Sequence, residues 1–119
     1  MTTIDHEVSS RGIEFIDFLK IDAEGFDLKV LMGAKETLGG GHIGVVQIEY
    51  NSPWAQTSST LAEAMRILRG YGYDVFLLKR NGLYKIRYEL YGEYFGYSNY
   101  VAVLKKYCDK ISSLKNGEI

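Results

Sequence analysis

The sequence predicts an α/β domain with parallel strands and an antiparallel hairpin at one edge. Three observations predict it: short apolar runs alternate with helix-period stretches over residues 15–70, glycines mark the changes of period, and Asn81-Gly82 separates two strand-like runs. At 119 residues, the chain is one domain or part of one.

Residues Met1–Gly12 are polar and weakly patterned, and read as a lead-in segment or short helix. Phe15–Asp22 follows as a mostly apolar run without clean alternation, which suits a strand covered on both faces. It stops at Ala23-Glu24-Gly25, where glycine permits a sharp turn. From Phe26 the period becomes helical: Leu28, Leu31, Ala34, Lys35 and Leu38 share one stripe, and Gly39-Gly40-Gly41 ends it. Ile43–Tyr50 reads as a second buried strand, closed by the turn-forming Asn51-Ser52-Pro53.

Thr60-Leu61-Ala62-Glu63 is a capping-box pattern, and the helix it opens puts Leu61, Ala64, Met65 and Leu68 on one face. Strand, helix, strand, helix in this order argues for parallel strands joined by right-handed crossovers. Tyr73–Arg80 and Leu83–Tyr88 then form a hairpin about Asn81-Gly82. A Gly/Tyr-rich link at Tyr91–Gly96 leads into a last strand, Tyr97–Leu104, and the polar tail 105–119 reads as a frayed helix.

Composition excludes several classes. The net charge of -1 provides no global basic field for nucleic acid or anionic lipid. A single cysteine, Cys108, excludes an internal disulfide framework. No apolar run approaches the roughly 20 residues that span a bilayer, and no secretory leader is visible at the start, so the expectation is a cytoplasmic protein. His6 and His42 lack metal-ligand spacing, so no metal site is expected. Most of the 10 tyrosines fall between Tyr71 and Tyr100, on strand faces and hairpin rims or on a substrate or subunit surface.

In open α/β sheets, ligands bind beyond the carboxyl ends of the parallel strands. Two such ends carry acids here: Asp22 and Glu24 after the first strand, Glu49 after the second. Clustered carboxylates can hold a cation, bind a hydroxyl or act as a general base. Acids at a helix start are also often only stabilising, by roughly 0.3–1 kcal/mol each.

The run Ile16–Gly25 (IDFLKIDAEG), followed by Leu28, Val30-Leu31, Gly33-Ala34 and Leu38, resembles the signature of FkbM-family methyltransferases. Ile4-Asp5 resembles the segment that precedes that signature, and Ile48-Glu49-Tyr50 the acidic end of the next strand; the resemblance covers residues 3–104. Ala23 and Phe26-Asp27 depart from the commoner residues. The resemblance implies the C-terminal half of a class I (Rossmann-like) methyltransferase sheet, with this chain supplying strands four to seven in the spatial order four, five, seven, six. It implies S-adenosylmethionine as methyl donor and a small-molecule hydroxyl, on a sugar or secondary metabolite, as acceptor. It makes Asp22 and Glu24 the catalytic candidates, with Asp22 orienting or deprotonating the acceptor, and Glu49 and Asn51 are assigned to the substrate. Trp54, on the loop after the second strand, is a further substrate candidate by its position: it either stacks on a sugar or ring or packs the loop.

The family's cofactor site is built mainly from the first three strands, which have no counterpart before residue 15. Gly39, Gly41 and Gly44 spell G-x-G-x-x-G, but they follow a helix and lead into a strand, the reverse of the dinucleotide context. The chain is thus expected to be a partial domain. The outer edge of strand 15–21 would be bare, and an open apolar edge invites pairing, so a homodimer or a partner chain is expected there. The alternative is a non-catalytic α/β interaction module or truncated gene product that dimerises through the same edge.

Overall fold

The computed structural model describes residues 2–86 and 97–118. Helix α1 (Ile4–Arg11) opens the chain, with the Thr3 side chain accepting from the His6 N–H and Gly12 closing it in the left-handed conformation. Strand β1 (Ile16–Ile21) leads through a turn into α2 (Asp27–Met32) and α3 (Lys35–Gly39). Strand β2 (Ile43–Tyr50), the single turn α4 (Pro53–Gln56) and helix α5 (Leu61–Gly70) follow. The hairpin β3 (Tyr73–Lys79) and β4 (Gly82–Lys85), then β5 (Ser98–Leu104), a 3₁₀ helix (Lys105–Leu114) and β6 (Lys115–Glu118) complete the order. Among the described residues no helix is long and apolar enough to cross a membrane.

The sheet is mixed, in the order β1-β2-β5-β3-β4-β6. Strands β1 and β2 are parallel; β5 inserts antiparallel between β2 and β3, and β3 pairs antiparallel with β4 about Asn81-Gly82. Side-chain alternation gives the sheet two unequal faces. One face holds Ile21, Val46, Ile48, Tyr50, Tyr100 and Ala102, and the apolar sides of α2, α3 and α5 cover it through Leu31, Leu38, Leu61, Met65 and Leu68. Each such side chain contributes roughly 1.5–3 kcal/mol by leaving water, so this layer dominates the stability. The other face carries a smaller cluster of Phe76, Leu83, Val101 and Val103 under Tyr107 and Cys108 of the 3₁₀ helix.

Several expectations change here. Among the described residues, strand β1 is covered on one face only: Ile21 is buried while Phe18 is 54% exposed. The lack of alternation in its sequence therefore does not reflect burial on both sides. The helix expected over 26–38 is two helices broken at Gly33-Ala34, and Lys35 is exposed rather than part of the apolar stripe. Close packing accounts for Gly33: a Cβ there would lie 3.2 Å from the Thr3 Cβ. The second helix is held by a distant acid. Asp5 accepts from the Glu36 N–H at 3.0 Å and from the Thr37 N–H at 2.9 Å, capping α3 from α1.

The tail is not a frayed helix but the 3₁₀ turn followed by β6, which pairs parallel with β4, so the hairpin does not form the edge of the sheet. Cys108 accordingly belongs to the cover of the second face rather than to a polar tail. The returning hairpin strand ends at Lys85, and the buried Ile86 after it is no longer strand; residues 87–88 of the expected strand, and the link Tyr91–Gly96, lie outside the described residues.

Candidate active site

Parallel pairing sets Ile21 opposite Ile48, which brings Asp22 level with Glu49 at the carboxyl ends of β1 and β2. Asp22 is exposed and Glu49 half-buried, and their carboxyls lie within hydrogen-bonding reach. Burial is the first cause that raises the Glu49 pKa above its ordinary value, and the charge and hydrogen bond of Asp22 are the next. Asn51 opposes the rise by donating its Nδ2 to Glu49 Oε1 at 3.0 Å. A carboxyl so placed binds its proton more tightly than a solvated glutamate, the direction that favours a general base.

The turn after β1 is clamped from two sides. Glu24 takes a left-handed φ of 51° and Gly25 one of 98°. A Cβ on Gly25 would meet the Pro53 carbonyl oxygen at 2.6 Å, so only glycine fits. The Gly25 carbonyl accepts from Thr57 Oγ1 at 2.6 Å, and its N–H donates to Asp27 Oδ1 at 3.3 Å. Non-glycine residues seldom hold positive φ, and such strain persists only where neighbours impose it. Here those neighbours are the β2–α5 connection, and the result holds Glu24 exposed at the tip of the turn beside Asp22.

Asp27 was readable in the sequence only as an acid at a helix start. It is 1% exposed, its Oδ2 has no hydrogen-bond partner, and its pKa is raised by burial against the pull of backbone N–H groups beginning with that of Gly25. It also adds to the rise at Glu49. The signal that could have found it is its place two residues after Gly25, where a carboxylate can fold back on the turn it follows.

Trp54 does not stack on a ligand. It is fully buried, its Nε1 donates to the Glu49 carbonyl at 2.9 Å, and its ring meets that of Tyr50 edge-on at 5.0 Å between centroids. An indole in a loop after an acidic strand end suggests a ligand platform, but here it supports Glu49 from beneath. Thus the structure brings Asp22, Glu24, Glu49 and Asn51 to one rim and puts Trp54 in the core.

Among the described residues, no group of three or more His, Cys, Asp or Glu could hold a metal ion. Gly39, Gly41 and Gly44 form no ligand cradle: the Gly40 and Gly41 N–H groups donate to Glu36 and Leu38 carbonyls at the end of α3.

The sequence pattern of the methyltransferase FkbM domain matches residues 1–75, from the start of the chain into β3. The chain belongs to the FkbM methyltransferase family. No curated protein and no solved structure matches it. The family match contains Asp22, Glu24, Asp27, Glu49 and Asn51 and stops short of β4 and β5.

Proposed function

We propose that this FkbM-family chain is the acceptor-side half of an S-adenosylmethionine-dependent O-methyltransferase. The acceptor is a hydroxyl on a sugar or secondary metabolite. The observation that carries the reading is the Asp22–Glu49 carboxyl pair at the ends of two parallel strands, within the segment matched to the family. The strand order β1-β2-β5-β3 supports it too, being the four, five, seven, six order expected of the second half of a class I methyltransferase sheet.

A neutral hydroxyl is a weak nucleophile, and its oxygen gains electron density as its proton leaves. Asp22, exposed at the rim, accepts a hydrogen bond from the acceptor hydroxyl and orients it. Glu49, with its raised pKa, takes the proton onto a carboxylate oxygen, while Asn51 and Trp54 hold Glu49 from two sides. Glu24 and its strained turn bound the pocket. Transfer to the activated oxygen then depends chiefly on in-line placement.

The described residues do not fit a whole cofactor cradle. The turn from β1 into α2 has one glycine, whose N–H is committed to Asp27. The cradle is therefore assigned to further strands that would pair with the open edge of β1, carried by a part of the protein outside this sequence or by a partner chain. The exposed edge and Phe18 equally favour a second reading, a non-catalytic module that works through that edge.

Titrating the purified chain with S-adenosylhomocysteine, with its mass followed by light scattering, separates the readings. Saturable binding by an assembled species supports the enzyme. An assembled species that binds nothing, alone or with candidate partner chains, supports the module.

A further inference from the structure

Beyond Asp22 and Glu49, the same face of the sheet continues as a row outside the family match. Glu49 lies opposite Asn99 on β5, and Asn99 opposite Leu78 on β3. With strands about 4.8 Å apart, the row from Asp22 to Leu78 spans roughly 14 Å. Among the described residues nothing covers it, the 3₁₀ helix packing over Val101 and Phe76, one rung further back.

The row is ordered by its own hydrogen bonds. Gln47 Nε2 donates to Asn99 Oδ1 at 3.2 Å, and Asn99 Nδ2 donates to the Tyr97 hydroxyl at 3.2 Å. Each amide thereby keeps a second N–H, aligned by the first, for a ligand. Tyr97 is 72% exposed, so its ring is open to contact. Beside it, Leu77, Leu78, Lys79 and Ser98 line a shallow pocket of about 360 Å³.

These groups alternate hydrogen-bonding edges with apolar surface, as the hydroxyl rim and C–H face of a pyranose do. An anion is disfavoured by the carboxyls at the near end, while Lys79, at the far end, lies over the Tyr84 ring at 5.3 Å. We propose that this row is the acceptor subsite of the methyltransferase and takes a neutral saccharide. The sugar stacks on Tyr97, Asn99 and Gln47 read its hydroxyls, and one hydroxyl is presented to Asp22 and Glu49. The proposal rests on the methyl-transfer reading for its last clause and on the row alone for binding. Because Leu78, Tyr97 and Asn99 lie beyond the family match, they are where acceptor choice would differ between members.

The test is a ¹H–¹⁵N NMR titration of the whole chain with the methyl glycosides of glucose, galactose, mannose and rhamnose. At least one should shift the signals of Gln47, Asn99, Tyr97 and Leu78. Tyr97→Ala and Asn99→Ala should each weaken that binding about tenfold, the scale of one lost hydrogen bond or contact. Tyr97 is exposed enough that its loss leaves the fold intact, and the remaining spectrum of each variant verifies this. Shifts that map elsewhere, variants that bind like the native chain, or no response to any glycoside would overturn the subsite, leaving methyl transfer to another acceptor untouched. Conversely, a glycoside that binds along the row but stays unmethylated by the cofactor-loaded assembly would remove the enzymatic reading and leave the row standing.

Discussion

Asp22 and Glu49 face each other across the β1–β2 pair, and the proximity of one carboxyl helps raise the pKa of the other. Replacing Asp22 with asparagine removes the like charge but not the burial. In Asp22→Asn, the Glu49 carboxyl carbon should therefore titrate at lower pH than in the native chain and still above a solvated glutamate. Carboxyl-detected NMR across pH 3–8 reads this directly, and an unmoved midpoint would mean that the two groups do not interact. In the assembled enzyme, Glu49→Gln should lower kcat/KM by about 10²–10⁴-fold, the usual worth of a positioned base.

Asp27 gives the fold a pH dependence of its own. Its pKa is raised in the folded chain above an ordinary 3.8, so the folded state holds that proton more tightly than the unfolded one. Stability from this group is therefore complete below the unfolded pKa and declines as pH rises through the folded value. Asp27→Asn cannot ionise, so its stability relative to the native chain should improve over that window and then level off. Asp27→Ala instead loses the acceptor for the Gly25 N–H and should cost about 1–3 kcal/mol. Urea unfolding at a series of pH values, followed through the single buried Trp54, measures both.

The turn that carries Glu24 depends on Gly25. Gly25→Ala must hold φ near 98° and push a methyl to within 2.6 Å of the Pro53 carbonyl oxygen. It should destabilise by more than the roughly 1–2 kcal/mol of a left-handed residue alone. Gly70→Ala is the contrast: nothing lies within 4 Å of its added methyl at the end of α5, and helix propensity should stabilise by about 0.5–1 kcal/mol. Equal effects in denaturant would show that the Pro53 contact does not constrain the turn.

These residues also mark what the sequence could and could not convey. The hairpin about Asn81-Gly82 and the capped helix at Thr60 were legible because local chemistry sets both. Asp22 and Glu49 were legible because each ends an apolar run at the rim where ligands bind. Asp27 was legible as an acid at a helix start but not as a buried group, and the sequence left Trp54 open between ligand and loop, because both depend on residues 49–59 folding back over the β1–α2 turn, a contact no period encodes. The one-sided cover of β1 was missed for a related reason: an apolar run records which residues avoid water, not which neighbour supplies the cover.

That bare strand sets the last prediction. Among the described residues β1 pairs with β2 alone, and Phe18 projects 54% exposed from it. The Ile16 N–H donates to the His42 carbonyl on the β2 side, so by alternation the Asp17 N–H points to the open edge. Asp17→Pro should then remove an outward donor without breaking the ladder to β2, as proline does on edge strands. If the edge joins two copies, light scattering should give a dimer for the native chain and a monomer for both Asp17→Pro and Phe18→Glu, with Trp54 fluorescence unchanged. A dimer that survives both substitutions would move the contact elsewhere. A native monomer would leave the edge to strands outside this sequence or to a different chain, whose pairing the same two substitutions should abolish.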